Sequence, residues 1–174
     1  IARFTLELGG KSAAVILDDY DVGKAAATIA GYGTFLTGQV CSSLTRIVVS
    51  KQRHDALVDA LSASFSNVKV GDPYDPSTRM GPLAMSRQRD RVEGYIAKGK
   101  AEGAKLATGG NRPKDLPRGW YIEPTVFGNV DNRSTIGRDE IFGPVLCVIP
   151  ADDEAHAIEL ANDTNYGLSA GIWS

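Results

Sequence analysis

The sequence predicts an α/β fold, a mostly parallel sheet with helices on both faces. Three observations carry this. From residue 13 onward, strand-like runs alternate with helical stretches long enough to cross back over a sheet, the order that βαβ units impose. Two of the runs, 13–17 and 145–149, are apolar without interruption, as strands buried on both faces are. The 174 residues suffice for one ordinary domain with a real core, and no internal repeat or low-complexity tract suggests another architecture.

The elements follow in order. Residues 3–8 alternate and read as a strand ended by Gly9-Gly10. The buried-type strand 13–17 comes next. Asp18, Asp19 and Asp21 then offer N-caps. Residues 22–35 carry alanines at helical density, with Gly31 and Gly33 weakening the second half. Residues 37–43 form a short polar loop holding a cysteine. A strong strand occupies 45–50, and Ser50 stands where it can cap the next helix, in which Leu57, Leu61 and Phe65 fall four apart on one face. Residues 71–76 form a loop on turn chemistry alone. Ser86 is placed to cap a helix reaching to about Gly103, its inner face made of Val92, Tyr95 and Ile96. A weak strand at 104–108 precedes a Gly/Pro/charged surface turn at 109–119. Residues 121–127 alternate, but Pro124 makes them an edge strand or an extended segment. After the apolar strand 145–149, Asp152 or Asp153 caps a helix to about Ala161. Residues 165–167 make a turn, and 168–173 a final strand.

Composition excludes several function classes. With 43% apolar and 23% charged residues the chain is globular rather than disordered. The formal net charge is -2, and lysine and arginine are spread along the chain without the basic stripe that nucleic acid demands. No run approaches the roughly 20 apolar residues that span a bilayer, and no signal-peptide pattern opens the chain. Two cysteines, Cys41 and Cys147, make neither a disulfide framework nor a structural zinc site, so a reducing, cytoplasmic compartment is expected. His54 and His156 stand in polar, helix-like stretches without metal-motif spacing and read as solvated surface residues. No metal is expected. The chain opens without Met on an alternating run and stops at Ser174 inside another strand, so a piece of a longer polypeptide is expected.

Three stretches can carry chemistry. Gly38-Gln39-Val40-Cys41-Ser42-Ser43 puts a thiol in a glycine-led loop between a helix and an apolar strand. Loop amide groups can lower a thiol pKa, glycine lets backbone N–H groups approach, and small neighbours leave access. Cys41 is a nucleophile or a small buried residue on this evidence; Cys147, inside an apolar strand, is core packing. Glu7 interrupts an apolar alternation before two glycines. It is either a solvated strand-end carboxylate or a general base, for which partial burial is apt. In Asp139-Glu140-Ile141-Phe142-Gly143-Pro144, an acid and an aromatic two apart in an extended segment share a side. They form a structural turn, or they grip a ribose and stack on a flat ring. There is no Gly-x-Gly-x-x-Gly after a strand, so if a dinucleotide is used its phosphate-binding unit is not in this chain.

Together these stretches resemble the NAD(P)-dependent aldehyde dehydrogenase superfamily. Leu6-Glu7-Leu8-Gly9-Gly10-Lys11-Ser12 is similar to its glutamate signature. Gly38-Gln39-Val40-Cys41 is similar to its cysteine signature, with Cys41 34 residues after Glu7 as in the family. Glu140-Ile141-Phe142-Gly143-Pro144-Val145 is similar to a third. Milder echoes fall at Gly81-Pro82-Leu83, at Tyr121 to Val126 and at Asn165 to Leu168, so the likeness runs from end to end. Ser43 and Thr34 depart from the usual residues and bear on substrate fit.

The resemblance implies the roles. Cys41 is the nucleophile and Glu7 the general base. Glu140 holds the nicotinamide-side ribose with Phe142 beside it, and Leu8 and Gly9 are backbone neighbours of the nicotinamide. Residues 1–9 end a strand of the cofactor domain, and 10–174 are a catalytic domain truncated at its C-terminus. The implied reaction, in a full-length parent, oxidises an aldehyde to a carboxylic acid with NAD or NADP through a cysteine thioester. The parent would be a homodimer or homotetramer, with neither membrane nor nucleic acid as partner, and the isolated piece would be inactive. The alternatives are a CoA-acylating relative, which usually lacks a glutamate at position 7, and a non-catalytic structural member.

Overall fold

The computed structural model describes residues 2–174. The chain runs β1 (Ala13–Ile16), α1 (Val22–Thr34), β2 (Arg46–Ser50), α2 (Lys51–Ser66), α3 (Ser86–Ala101), β3 (Lys105–Thr108), β4 (Thr125–Gly128), α4 (Thr135–Arg138), β5 (Val145–Ala151), α5 (Glu154–Asn162) and β6 (Ala170–Trp173). The strands form one sheet in the order β3-β4-β5-β2-β1-β6. All neighbours are parallel except β3 and β4. The expected mostly parallel α/β sheet is therefore present.

The pleat divides each strand between two cores. Ile47 and Val49 of β2, with Leu146 and Val148 of β5, face Ile29 of α1 and Leu57, Leu61 and Phe65 of α2. Val48 of β2, with Cys147 and Ile149 of β5, faces Val92 and Ile96 of α3, Ile136 of α4 and Ala157 of α5. Burial of each valine, leucine, isoleucine or phenylalanine side chain here contributes about 1.5–3 kcal/mol. The near-continuous apolar runs arise because both faces are covered.

Local physics moved several boundaries. Residues 2–10 form no strand, and the arm is exposed through Gly9; among the described residues no strand lies alongside to pair with it. Asp21 caps α1, accepting from the Lys24 N–H at 2.7 Å. Ser50 sits at the N-cap of α2, but its hydroxyl bonds Asp18 at 2.6 Å instead. Met85 holds the N-cap position of α3, and Ser86 is the first helical residue. Asp153, rather than Asp152, caps α5 by accepting from the His156 N–H at 2.8 Å. β4 is an interior strand, not an edge. Pro124 lies just before it, so its missing N–H costs no ladder bond, and pairing begins with Thr125 N–H donating to the Pro144 carbonyl at 2.8 Å. α4 is a single turn, too short to leave a periodic signal.

His54 is buried, not solvated. Its Nε2 accepts the Asn129 N–H at 2.8 Å, and its Nδ1 faces Asp55 at 2.8 Å. Because Nε2 must accept, the proton of the neutral ring sits on Nδ1.

Candidate active site

β5, β2 and β1 are adjacent and parallel, with Ala13 opposite Arg46 and Arg46 opposite Cys147. The amino ends of β1 and β2 are therefore level, and β5 begins two residues earlier at the same edge. The three chemistry-bearing stretches are the segments that lead into those ends, which brings residues more than a hundred positions apart together. The Gly10 N–H donates to Glu140 Oε1 at 3.0 Å. A Cβ added at Gly9 would lie 2.7 Å from Glu140 Oε2. One added at Gly10 would run into the Cys41 carbonyl oxygen, and one at Gly38 into the backbone of Gly143 and Pro144. Three glycines without side chains thus permit the three segments to touch.

The cysteine loop is held in an uncommon shape. Leu36 (φ 48°), Thr37 (φ 58°) and Gly38 (φ 68°) are successive left-handed residues. For the two non-glycine residues this costs about 1–2 kcal/mol each, so the surroundings must over-determine it. They do. Thr37 Oγ1 donates to the Gly81 carbonyl at 3.1 Å. The Gln39 side chain donates to the Leu36 carbonyl at 3.1 Å and accepts from the Ala84 N–H at 3.0 Å. The milder Gly81-Pro82-Leu83 echo is thus the clamp on this loop. Beyond it, Cys41 is free and exposed. It follows the C-terminal end of α1, the negative end of that helix dipole. An apolar cavity of about 220 Å³, lined by Tyr32, Phe35, Val40, Ser42, Ser43, Leu44 and Ser169, lies in the cysteine loop.

Cys147 is fully buried as expected, its Sγ donating to the Ile136 carbonyl at 3.3 Å, and burial pushes its thiol up. Lys11 is 1% exposed, and among the described residues its Nζ has no hydrogen-bond partner. Burial holds its ammonium below the usual lysine range, opposed by the nearby Cys147, Asp139 and Glu140.

Glu140 and Phe142 line one groove together with Arg87, Gln88 and Arg91 of α3. The route to this shared side differs from the expected extended alternation, since Phe142 is left-handed (φ 61°). Gln88 fixes the bend by donating to the Phe142 carbonyl at 2.6 Å, and Arg91 Nη2 donates to the Glu140 carbonyl at 2.5 Å. The Tyr95 hydroxyl donates to Asp139 at 3.0 Å; burial first, then this bond, raises the tyrosine pKa. Sequence reasoning missed Arg87, Gln88 and Arg91. Their signal was available, for they flank the inner-face residues of α3 on the turn that looks toward residues 139–144.

The structure thus brings Cys41, Gly9, Glu140 and Phe142 to one sheet edge. Glu7 and Leu8 stand on the exposed arm, so the partial burial apt for a base at Glu7 is not supplied here. Among the described residues no three His, Cys, Asp or Glu side chains are grouped to hold a metal ion, and no helix is long and apolar enough to cross a membrane.

The fold is a mostly parallel α/β sheet with a free cysteine, a carboxylate bonded to a glycine N–H and a groove gathered at its amino edge. The chain belongs to the aldehyde dehydrogenase family, whose model matches residues 1–174. It is 46% identical over 175 residues to a betaine aldehyde dehydrogenase of Sinorhizobium fredii, covering 100% of this chain and 36% of that protein. It is 46% identical over 170 residues to a geranial dehydrogenase of Castellaniella defragrans, covering 98% and 35%. Among solved structures it is similar to a Mycobacterium tuberculosis aldehyde dehydrogenase complexed with NAD+, at 49% identity and a TM-score of 0.91, covering 97% of this chain and 35% of that one. A mutant aldehyde dehydrogenase C of Pseudomonas syringae, complexed with NAD+ and octanal, gives 40% identity and a TM-score of 0.95 over 97% and 35%. The chain therefore spans about a third of the length of the relatives it matches.

Proposed function

We propose that this chain is the catalytic part of an NAD(P)-dependent dehydrogenase that oxidises an aldehyde to a carboxylic acid. The carrying observation is the contact of three separate signature segments, with Gly10 bonded to Glu140 and packed on the Cys41 carbonyl. In this reading residues 10–174 are the catalytic domain, and 1–9 leave a cofactor domain. Exposed Phe4, Leu6, Leu8, Tyr32, Phe35 and Leu36 fit cover by further protein. A cytoplasmic homodimer or homotetramer completes the reading.

Cys41 thiolate adds to the aldehyde carbon beside the apolar cavity, and loop amide donors take the oxyanion. The residues present fit a nicotinamide dinucleotide, since the bare Gly9 leaves room at the Glu140 carboxylate and Phe142 offers a flat face. Glu140 would hold the ribose, with Leu8 and Gly9 along the nicotinamide. When bound, that group supplies the hydride acceptor. The acyl group is then a thioester on Cys41. Glu7 takes a proton from water, the hydroxide oxygen attacks the thioester carbon, and Cys41 leaves as thiolate. The presence of Glu7 favours hydrolysis over transfer to CoA.

In the full-length protein, Glu7→Gln should let one acyl group accumulate on Cys41, visible by intact mass, while steady-state turnover falls by about 10²–10⁴-fold. Unchanged turnover would sink the role of Glu7 as base. An active wild type must also lose all turnover on Cys41→Ala.

A further inference from the structure

Arg46 opens β2, five residues after Cys41, and is 1% exposed. Its guanidinium makes four donor contacts. Nε donates to the Lys11 carbonyl at 3.1 Å, and Nη1 to Asn132 Oδ1 at 2.7 Å and the Leu160 carbonyl at 2.8 Å. Nη2 donates to the Ala161 carbonyl at 2.8 Å. The Arg46 backbone N–H adds a bond to the Ser12 carbonyl at 3.2 Å. Carbonyl dipoles at the negative end of α5 thus carry this buried charge, and among the described residues no carboxylate is in direct contact with it. Asn132 continues the chain of contacts. Its Nδ2 donates to Asp163 Oδ2 at 3.0 Å, and Asp163 is gripped by Arg138 at 2.5 Å. Arg138 immediately precedes Asp139 and Glu140.

We propose that Arg46 is a positioning residue for the Glu140 carboxylate. On one side it anchors Lys11, next to the Gly10 N–H that donates to Glu140. On the other, through Asn132 and Asp163, it anchors Arg138, two residues before Glu140. The Gly10–Glu140 bond is set from both ends by one rigid fork. A planar guanidinium holds several acceptors at fixed angles, which a lysine ammonium does not. A buried cation is a poor device for stability alone, since apolar replacements of buried ionic groups are often neutral or better. What it supplies here is geometry at the sheet edge where the Cys41 loop also meets Gly10.

What Glu140 holds rests on the dehydrogenase reading; the Arg46 contacts do not. The test compares Arg46→Lys, Glu140→Gln and the double variant in the full-length protein, at a temperature where melting curves show each folded. Hydrogen exchange at the Gly10 amide is read first, without turnover. Arg46→Lys should lower its protection about tenfold or more, to the level of Glu140→Gln, and the double variant should fall little further. The Kd and KM for NAD should rise together about tenfold or more in each single variant, again non-additively, with kcat changed less. Where Arg46→Lys does not fold, Arg138→Ala at the half-exposed end of the network should shift the same readouts in the same direction by less. Unaltered Gly10 protection in folded Arg46→Lys overturns the proposal, as do additive effects. A wild type without aldehyde-dependent NAD reduction overturns the dehydrogenase reading instead and leaves the exchange result decisive for Arg46.

Discussion

Adding one methyl group at Gly9 should loosen cofactor binding without unfolding the protein. The new Cβ would lie 2.7 Å from Glu140 Oε2 and 3.3 Å from its Cδ. The first is far inside the usual van der Waals separation, so something must shift. Gly9 is outside the left-handed region, so alanine adds no backbone strain there. The obstacle is the end of a flexible side chain rather than backbone, so the carboxylate gives way. Its departure breaks the 3.0 Å bond from the Gly10 N–H. A hydrogen bond to a charged group is worth about 1.5–3 kcal/mol, and each 1.4 kcal/mol is tenfold in affinity. Gly9→Ala should therefore raise the KM for NAD in the full-length protein roughly 10- to 100-fold. The substitution leaves the Cys41 thiol itself in place, so kcat at saturating cofactor should change far less. The assay is steady-state NADH absorbance across a cofactor titration, paired with a thermal melt. An unchanged KM, or a fall in kcat at constant KM, refutes the reasoning that places Glu140 at the cofactor.

Two further predictions concern the frame around the site. Lys11→Met should stabilise the fold by about 1–3 kcal/mol, because it removes a buried, unpartnered amine and keeps the chain length. Burial lowers the folded-state pKa of Lys11 below its unfolded value near 10.4, so in that window the unfolded chain binds the proton more readily. Stability should accordingly rise with pH toward about 10 in the wild type and rise less in Lys11→Met, as urea midpoints across pH would record; parallel curves would contradict the assignment. Thr37→Val keeps the β-branched shape but removes the hydroxyl that donates to the Gly81 carbonyl, and should cost about 1–2 kcal/mol in the same assay. A neutral substitution would mean that the Gly81 contact does not hold the left-handed turn.

How much was legible in the sequence depended on whether the signal was periodic or relational. The sheet was legible because burial on both faces writes unbroken apolar runs, as in Val145 to Ile149, and because Leu57, Leu61 and Phe65 repeat at helical spacing. Cap identity was less legible. Ser50 and Ser86 have the right chemistry in nearly the right place, but Asp18 captured one hydroxyl and the other fell one residue inside the helix. His54 looked solvated because its sequence neighbours are polar; buried, it accepts a hydrogen bond from Asn129, 75 residues away. The arm 3–8 has strand alternation, yet a strand exists only with a neighbour, and none is supplied among the described residues. In the candidate site, Cys41 and Glu140 stood out in the sequence as residue types that can carry chemistry. The Gly9, Gly10 and Gly38 contacts did not, since a glycine gives no hint of what its missing side chain would have struck. Arg87, Gln88 and Arg91 were passed over because three polar residues on one helix are ordinarily a solvated face.

Open α/β sheets commonly take their ligands at the carboxyl ends of the strands. Here the candidate site lies at the amino ends, and the connections explain why. At the carboxyl edge β2 passes directly into α2 at Ser50-Lys51, and only residues 152–153 separate β5 from α5. These two turns add little backbone to that edge. At the amino edge, residues 35–45 join α1 to β2, and residues 139–144 join α4 to β5. These longer segments contain the left-handed Leu36, Thr37 and Phe142. Irregular backbone of this kind is stable only where something fixes it. Gln39 and Thr37 bond the first segment, and Gln88 and Arg91 the second. The same groups that make the strain tolerable also set the distance between the thiol-bearing loop and the Glu140 carboxylate. A variant that relaxes the loops should therefore lose function before it loses fold.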